Sequence, residues 1–93
     1  MRENVVERAF VSKVKERGGI ALKFVSPGFD GVPDRLAIFP NKRIAFVEVK
    51  APGKKMRPLQ IKRKSQLEAF GLKVYFLDSK EGIEVMLDEI CTT

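Results

Sequence analysis

The chain has 93 residues, of which 44% are hydrophobic with seven Phe and no Trp, and a formal net charge of +6. That suffices for one domain around one core, and no apolar run approaches the roughly 18 residues that a membrane span requires. One Cys and no His exclude an internal disulfide, a structural zinc site and the Ser-His or Cys-His nucleophile schemes.

Val5, Val6, Ala9, Phe10, Val11 and Val14 recur at helical spacing and Gly18-Gly19 ends the pattern, which predicts a helix from Arg2 or Asn4 to Arg17. Glu7 lies on the flank of this stripe, where it is either a solvated helix position or part of a site. The opening Met1-Arg2-Glu3-Asn4 lacks the basic-then-apolar layout of a signal peptide, so a cytoplasmic location is expected. Ile20 to Val25 reads as the first strand, followed by a loop from Ser26 to Pro33 shaped by two glycines and two prolines. Asp30 within it is of the kind that caps a turn.

Gly31-Val32-Pro33-Asp34 delivers a carboxylate directly into the second strand, Arg35 to Phe39. A turn at Pro40-Asn41-Lys42 leads to the third strand, Arg43 to Lys50. Side chains alternate between the faces of a strand, so Glu48 and Lys50 share one face while Val47 and Val49 occupy the other. An antiparallel pairing of these two strands brings Asp34 near the level of Glu48 and Lys50. Two carboxylates and a lysine in this order are the parts needed to hold a divalent cation against a phosphate. Hard oxygen ligands suit Mg2+ or Mn2+. A Glu-x-Lys pair taken alone is also an ordinary solvated strand face.

Ala51 to Pro58 is a basic loop, and Pro58 suits the first turn of a helix from Leu59 to Phe70 that Gly71 ends. Lys64 follows Gln60 by one helical turn, so both project from one face. Lys73 to Leu77 is the last strand, and Glu81 to Ile90 a short acidic helix with Ile83, Met86, Leu87 and Ile90 turned inward. The predicted order is αβββαβα, an α/β domain with a mixed four-stranded sheet flanked by helices. Between residues 42 and 64 the cations Lys42, Arg43, Lys50, Lys54, Lys55, Arg57, Lys62, Arg63 and Lys64 face Glu48 alone. Such a block fits a polyanion, because neutralising phosphates releases counterions; a solvated surface is the other explanation.

The ordered set of G-V-P-D, a strand, a turn, E-V-K-A-P-G, a basic loop and then Leu59-Gln60 resembles the VRR-NUC family of the PD-(D/E)xK nuclease superfamily, from about Glu7 to Phe76. The resemblance implies a restriction-endonuclease-like core and metal-dependent hydrolysis of DNA phosphodiesters. It implies that Asp34 and Glu48 bind one or two Mg2+ or Mn2+ ions, joined by the carbonyl of Val49 and by Glu7. Lys50 would position the water or offset charge on the phosphate, and Gln60 would point into the site. Lys54, Lys55, Arg57, Lys62, Arg63 and Lys64 are the candidates for DNA phosphate contacts. Phe29 departs from the polar or basic loop of the family and could wedge or stack on DNA. Similarity to the stand-alone members, which look like Holliday junction resolvases, implies a homodimer acting on branched DNA; among the residues themselves, Phe29, Met56 and the apolar face near Met86 and Ile90 are the candidates for its interface. The competing readings are a non-catalytic nucleic-acid-binding module on a nuclease scaffold and an adaptor for an acidic partner. The second explains the charge but not the Asp34, Glu48 and Lys50 set.

Overall fold

A computed structural model describes residues 2–92. The elements follow in the order α1 (Glu3–Glu16), β1 (Ile20–Lys23), β2 (Arg35–Phe39), β3 (Arg43–Val49), α2 (Pro58–Ala69), β4 (Lys73–Leu77) and α3 (Glu81–Thr92). The sheet order is β1-β2-β3-β4. The first three strands are antiparallel neighbours, and β4 runs parallel to β3 after the α2 crossover. The sheet is therefore mixed, as the pattern of strands and helices predicts.

Local chemistry sets the boundaries. At the end of α1 the amide of Gly18 donates to Lys15 O and that of Gly19 to Val14 O, the paired closure that needs a left-handed residue, here Gly18 at φ 78. The β2–β3 hairpin turns through Asn41 and Lys42, both left-handed at φ 66 and 62. Asn accepts this region readily and Lys less so. β1 stops at Lys23 instead of reaching Val25, since the chain leaves the ladder towards Pro27, although the Phe24 amide still donates to Asp34 O at 2.8 Å.

The two faces of the sheet have different fates. Ala37, Ala45, Val47, Val49 and Leu77 join Val6, Phe10 and Val14 of α1 and Ile83, Met86, Leu87 and Ile90 of α3 in one buried cluster. Ala21, Ala37 and Ala45 are cross-strand neighbours, and this row of small side chains lets α1 approach the sheet. The sequence reading that offered Met86 and Ile90 to a dimer interface is corrected here. Both are core residues, because the apolar stripe of α3 faces the sheet. The opposite face carries the cross-strand sets Ile20, Ile38 and Ile44, then Leu22, Leu36, Phe46 and Val74. There Phe24 packs edge-on against Phe46 with centroids 5.2 Å apart. Ile20, Leu22 and Ile44 nevertheless remain 53%, 42% and 41% exposed. No described helix is long and apolar enough to cross a membrane.

Phe10 is fully buried in the cluster shared by both helices and the sheet. Truncating it to alanine is expected to cost about 3 to 5 kcal/mol. Denaturant unfolding of Phe10→Ala, read by circular dichroism, measures that loss.

Candidate active site

The hairpin register brings the two acids together. Arg35 pairs with Val47, and one step further along the same ladder Asp34 comes level with Glu48. Asp34 is held from both sides: its carbonyl accepts the Phe24 amide at 2.8 Å, and its Oδ2 accepts the Val49 amide at 2.9 Å. What Val49 gives the site in this structure is thus an N–H that orients Asp34.

Glu48 points away from the valine core, yet it is only 1% exposed. Its Oε2 accepts Gln60 Nε2 at 2.7 Å and lies 3.3 Å from Lys50 Nζ. Its Oε1 is buried without a hydrogen-bond partner. Burial pushes the Glu48 carboxyl up to about 7, the nearby charge of Asp34 adds to the rise, and Lys50 opposes it.

Gln60 joins this carboxylate to α2. Pro58 opens the helix, and Gln60 Oε1 accepts the Arg57 amide at 2.8 Å, which satisfies a donor at the helix start. Both ends of the Gln60 amide are therefore engaged. The loop before β2 packs against the same turn. Gly31 has φ 88, and a Cβ there would stand 2.7 Å from Leu59 Cγ, so the position needs glycine on both counts.

Asp34, Glu48, Lys50 and Gln60 are thus gathered at one end of the sheet. Glu7 reaches its edge. Its Oε2 accepts Arg35 Nε at 2.8 Å, and Arg35 Nη1 also donates to Ala21 O at 3.1 Å. Glu7 and Asp34 line a shared cavity of about 260 Å³ together with Glu3, Lys23 and Phe24. No group of three or more His, Cys, Asp or Glu side chains is drawn together at metal-binding distances among the described residues. Sequence reasoning missed Arg35, although its place directly after Asp34 on a strand beside α1 was the available signal.

The cations divide into two groups. Lys54, Lys55, Arg57 and Lys62 lie exposed on the loop and the first two turns of α2. Lys64 pairs with Glu68 at 2.8 Å, one turn along the helix. Arg63 reaches the β1–β2 loop: its Nε donates to Asp30 O at 2.7 Å, its Nη1 to Gln66 Oε1 at 3.0 Å, and its guanidinium lies 3.7 Å from the Phe29 ring centroid. The acids of α3 face elsewhere, with Glu84 and Asp88 both pairing with Arg17 of α1.

No protein-family model matches the chain. A curated relative from Acyrthosiphon pisum secondary endosymbiont phage 1, named "Putative nuclease p44", is 52% identical over 81 residues, 87% of each chain. A solved structure described as a VRR_NUC domain superposes with a TM-score of 0.86 at 26% identity, covering 92% of this chain and 94% of that one. The chain belongs to the VRR-NUC nucleases. The VRR-NUC fold here comprises three helices and a mixed four-stranded sheet, and the strand-turn-strand unit that carries Asp34 and Glu48 forms its centre.

The raised Glu48 carboxyl has a measurable consequence. In the absence of divalent cations its carbon-13 resonance should titrate with a midpoint near 7, and Asp34→Asn should lower that midpoint by removing the neighbouring charge. The native state holds a proton that the unfolded chain has already released. This group therefore makes stability fall as pH rises from the usual carboxylate range through about 7. Glu48→Gln should flatten that part of the thermal midpoint profile.

Proposed function

We propose that the protein hydrolyses DNA phosphodiesters with Mg2+ or Mn2+ held by Asp34 and Glu48, and that it works as a homodimer on branched DNA. The observation that carries the cation reading is Glu48 Oε1, a buried carboxylate oxygen with no hydrogen bond, on a side chain whose proton affinity is raised partly by Asp34. An unpartnered buried carboxylate oxygen is costly, and a hard cation between two acids relieves that cost. Mg2+ commonly uses one or two carboxylates and completes its shell with water and substrate phosphate, so this donor set fits. When bound, the cation polarises the scissile phosphate and acidifies the attacking water.

The remaining work falls to side chains of the chain itself. Lys50 Nζ, 3.3 Å from Glu48 Oε2, stands where an ammonium offsets negative charge gathering on the phosphate. With no histidine in the sequence, Lys50 is also the side chain to which handling of a water's proton is assigned, unless a metal-bound water does that work itself. Gln60 has its amide committed to Glu48 and to the Arg57 backbone, which supports a positioning role exerted through Glu48. The exposed Lys54, Lys55, Arg57 and Lys62 supply phosphate contacts that hold DNA without reading sequence.

The homodimer rests on the sheet face that α2 leaves uncovered. Ile20 and Leu22 of β1 and Ile44 of β3 lie on one sheet face, bridged by Leu36 and Ile38 of β2, and each of the three is more than two-fifths exposed. A contiguous apolar sheet surface of this kind in a small soluble chain calls for a cover. A second copy offering the same face about a two-fold axis is self-complementary, and it supplies the second active site needed to cut two strands of a branched substrate.

Asp34→Ala, Glu48→Ala and Lys50→Ala should each lower Mg2+- or Mn2+-dependent cleavage by on the order of 10² or more while retaining most DNA affinity. Gel cleavage assays with matched binding titrations test this, and near wild-type cleavage by Glu48→Ala would sink the assignment. For the assembly, sedimentation should give a dimer for the wild type and a monomer for Leu22→Lys with Ile44→Lys, at unchanged helix content. A wild-type monomer at micromolar concentration would refute the dimer.

A further inference from the structure

Phe29 has no place in the hydrophobic core. It sits on the β1–β2 loop with its side chain 43% exposed, in a turn closed by its own amide donating to Ser26 O at 3.1 Å. One side of the ring is backed by the Arg63 guanidinium at 3.7 Å. The same guanidinium is fixed by Asp30 O and Gln66, and the loop is seated a second time where Gly31 meets Leu59. The ring is therefore immobilised by two successive turns of α2 instead of being tucked away. An exposed cation–π contact contributes only about 0.5 to 1 kcal/mol, which makes a clamp alone a weak reason to leave an aromatic ring in water.

Its position relative to the chemistry is informative. Gln60 touches Glu48, and Arg63 follows three residues later on the same helix, about 4.5 Å along the axis. Asp34 ends the very loop that carries Phe29. The ring thus lies on the loop that leads into Asp34 and against the helix that carries Gln60, and the loop and helix start beside it also expose the cations Lys54, Lys55, Arg57 and Lys62. Aromatic faces beside cations are the arrangement on which nucleobases stack.

We propose that Phe29, backed by Arg63, is a stacking platform for a nucleobase whose face is laid bare at a branch point beside the scissile phosphate. A continuous duplex keeps its bases stacked on one another and gains nothing from the ring, so the platform favours branched over linear DNA. This rests on the nuclease reading above and names the feature of the substrate that the site selects.

The chain contains no Trp, so Phe29→Trp introduces a single fluorescent reporter at the platform. In metal-free buffer, where binding is read apart from cleavage, a four-way junction or a flapped duplex should quench this variant's emission strongly and a blunt duplex should not. Phe29→Ala should lower affinity for the branched DNAs by about tenfold and leave duplex affinity unchanged, with Phe29→Trp retaining the preference. Thermal melts of both variants show that each is folded. Equal quenching by branched and blunt DNA, no quenching by either, or an equal loss of affinity for both in Phe29→Ala would overturn the proposal. Absence of cleavage with every cation would instead strike the nuclease reading, while the binding ratios would still decide the platform.

Discussion

A carboxylate buried within a sheet is the constraint on which the architecture of this end of the molecule depends. Glu48 lies on β3, the strand flanked by an antiparallel and a parallel neighbour, and its charge must be stabilised by whatever the chain folds over it. Lys50 comes from two residues along the strand and Gln60 from the first turn of α2. Both engage Oε2, leaving Oε1 bare. The large majority of buried polar side-chain atoms in stable cores have a hydrogen-bond partner. Here the packing stops one partner short, and the neighbouring Asp34 makes the shortfall deeper by raising the proton affinity of Glu48.

The surrounding charge is sorted by face. The acids of α3 are drawn against Arg17 and Lys13 of α1, on the side of the sheet where the apolar core lies. The basic loop, by contrast, connects Lys50 to α2 and borders the carboxylates. The surface bordering Asp34 and Glu48 is thus richer in cations than the side that α3 covers. Surface ion pairs of this kind contribute little to stability, so the sorting bears on partner recognition more than on folding.

Much of this was legible in the sequence because it follows from alternation. β2 and β4 fall where the runs Arg35 to Phe39 and Lys73 to Leu77 place them, and the parity of β3 separates Val47 and Val49 from Glu48. Gly18 stops α1 by a backbone requirement that no other residue meets as easily. What could not be read depends on approaches between distant segments. The Arg35 bridge to Glu7 spans β2 and α1, and the Arg63 contact with Phe29 spans α2 and a loop; neither leaves a periodic trace. The open sheet face was hidden for a related reason. Ile20, Leu22 and Ile44 look like core residues until the lateral position of α2 is known.

The ladder between β2 and β3 carries a further implication for how such chains diverge. Asp34 meets Glu48 because the pairing continues in step from the turn at Asn41 and Lys42. Adding or deleting one residue inside either strand would swing one acid to the side occupied by Val47 and Val49, and the pair would be lost even though both letters survived in the alignment. Lengthening the turn itself leaves the ladder intact. Descendants of this gene can thus lengthen or shorten freely at the tip of the hairpin, while its arms are fixed in length, a restriction imposed by geometry on insertions and deletions rather than on the identity of any side chain.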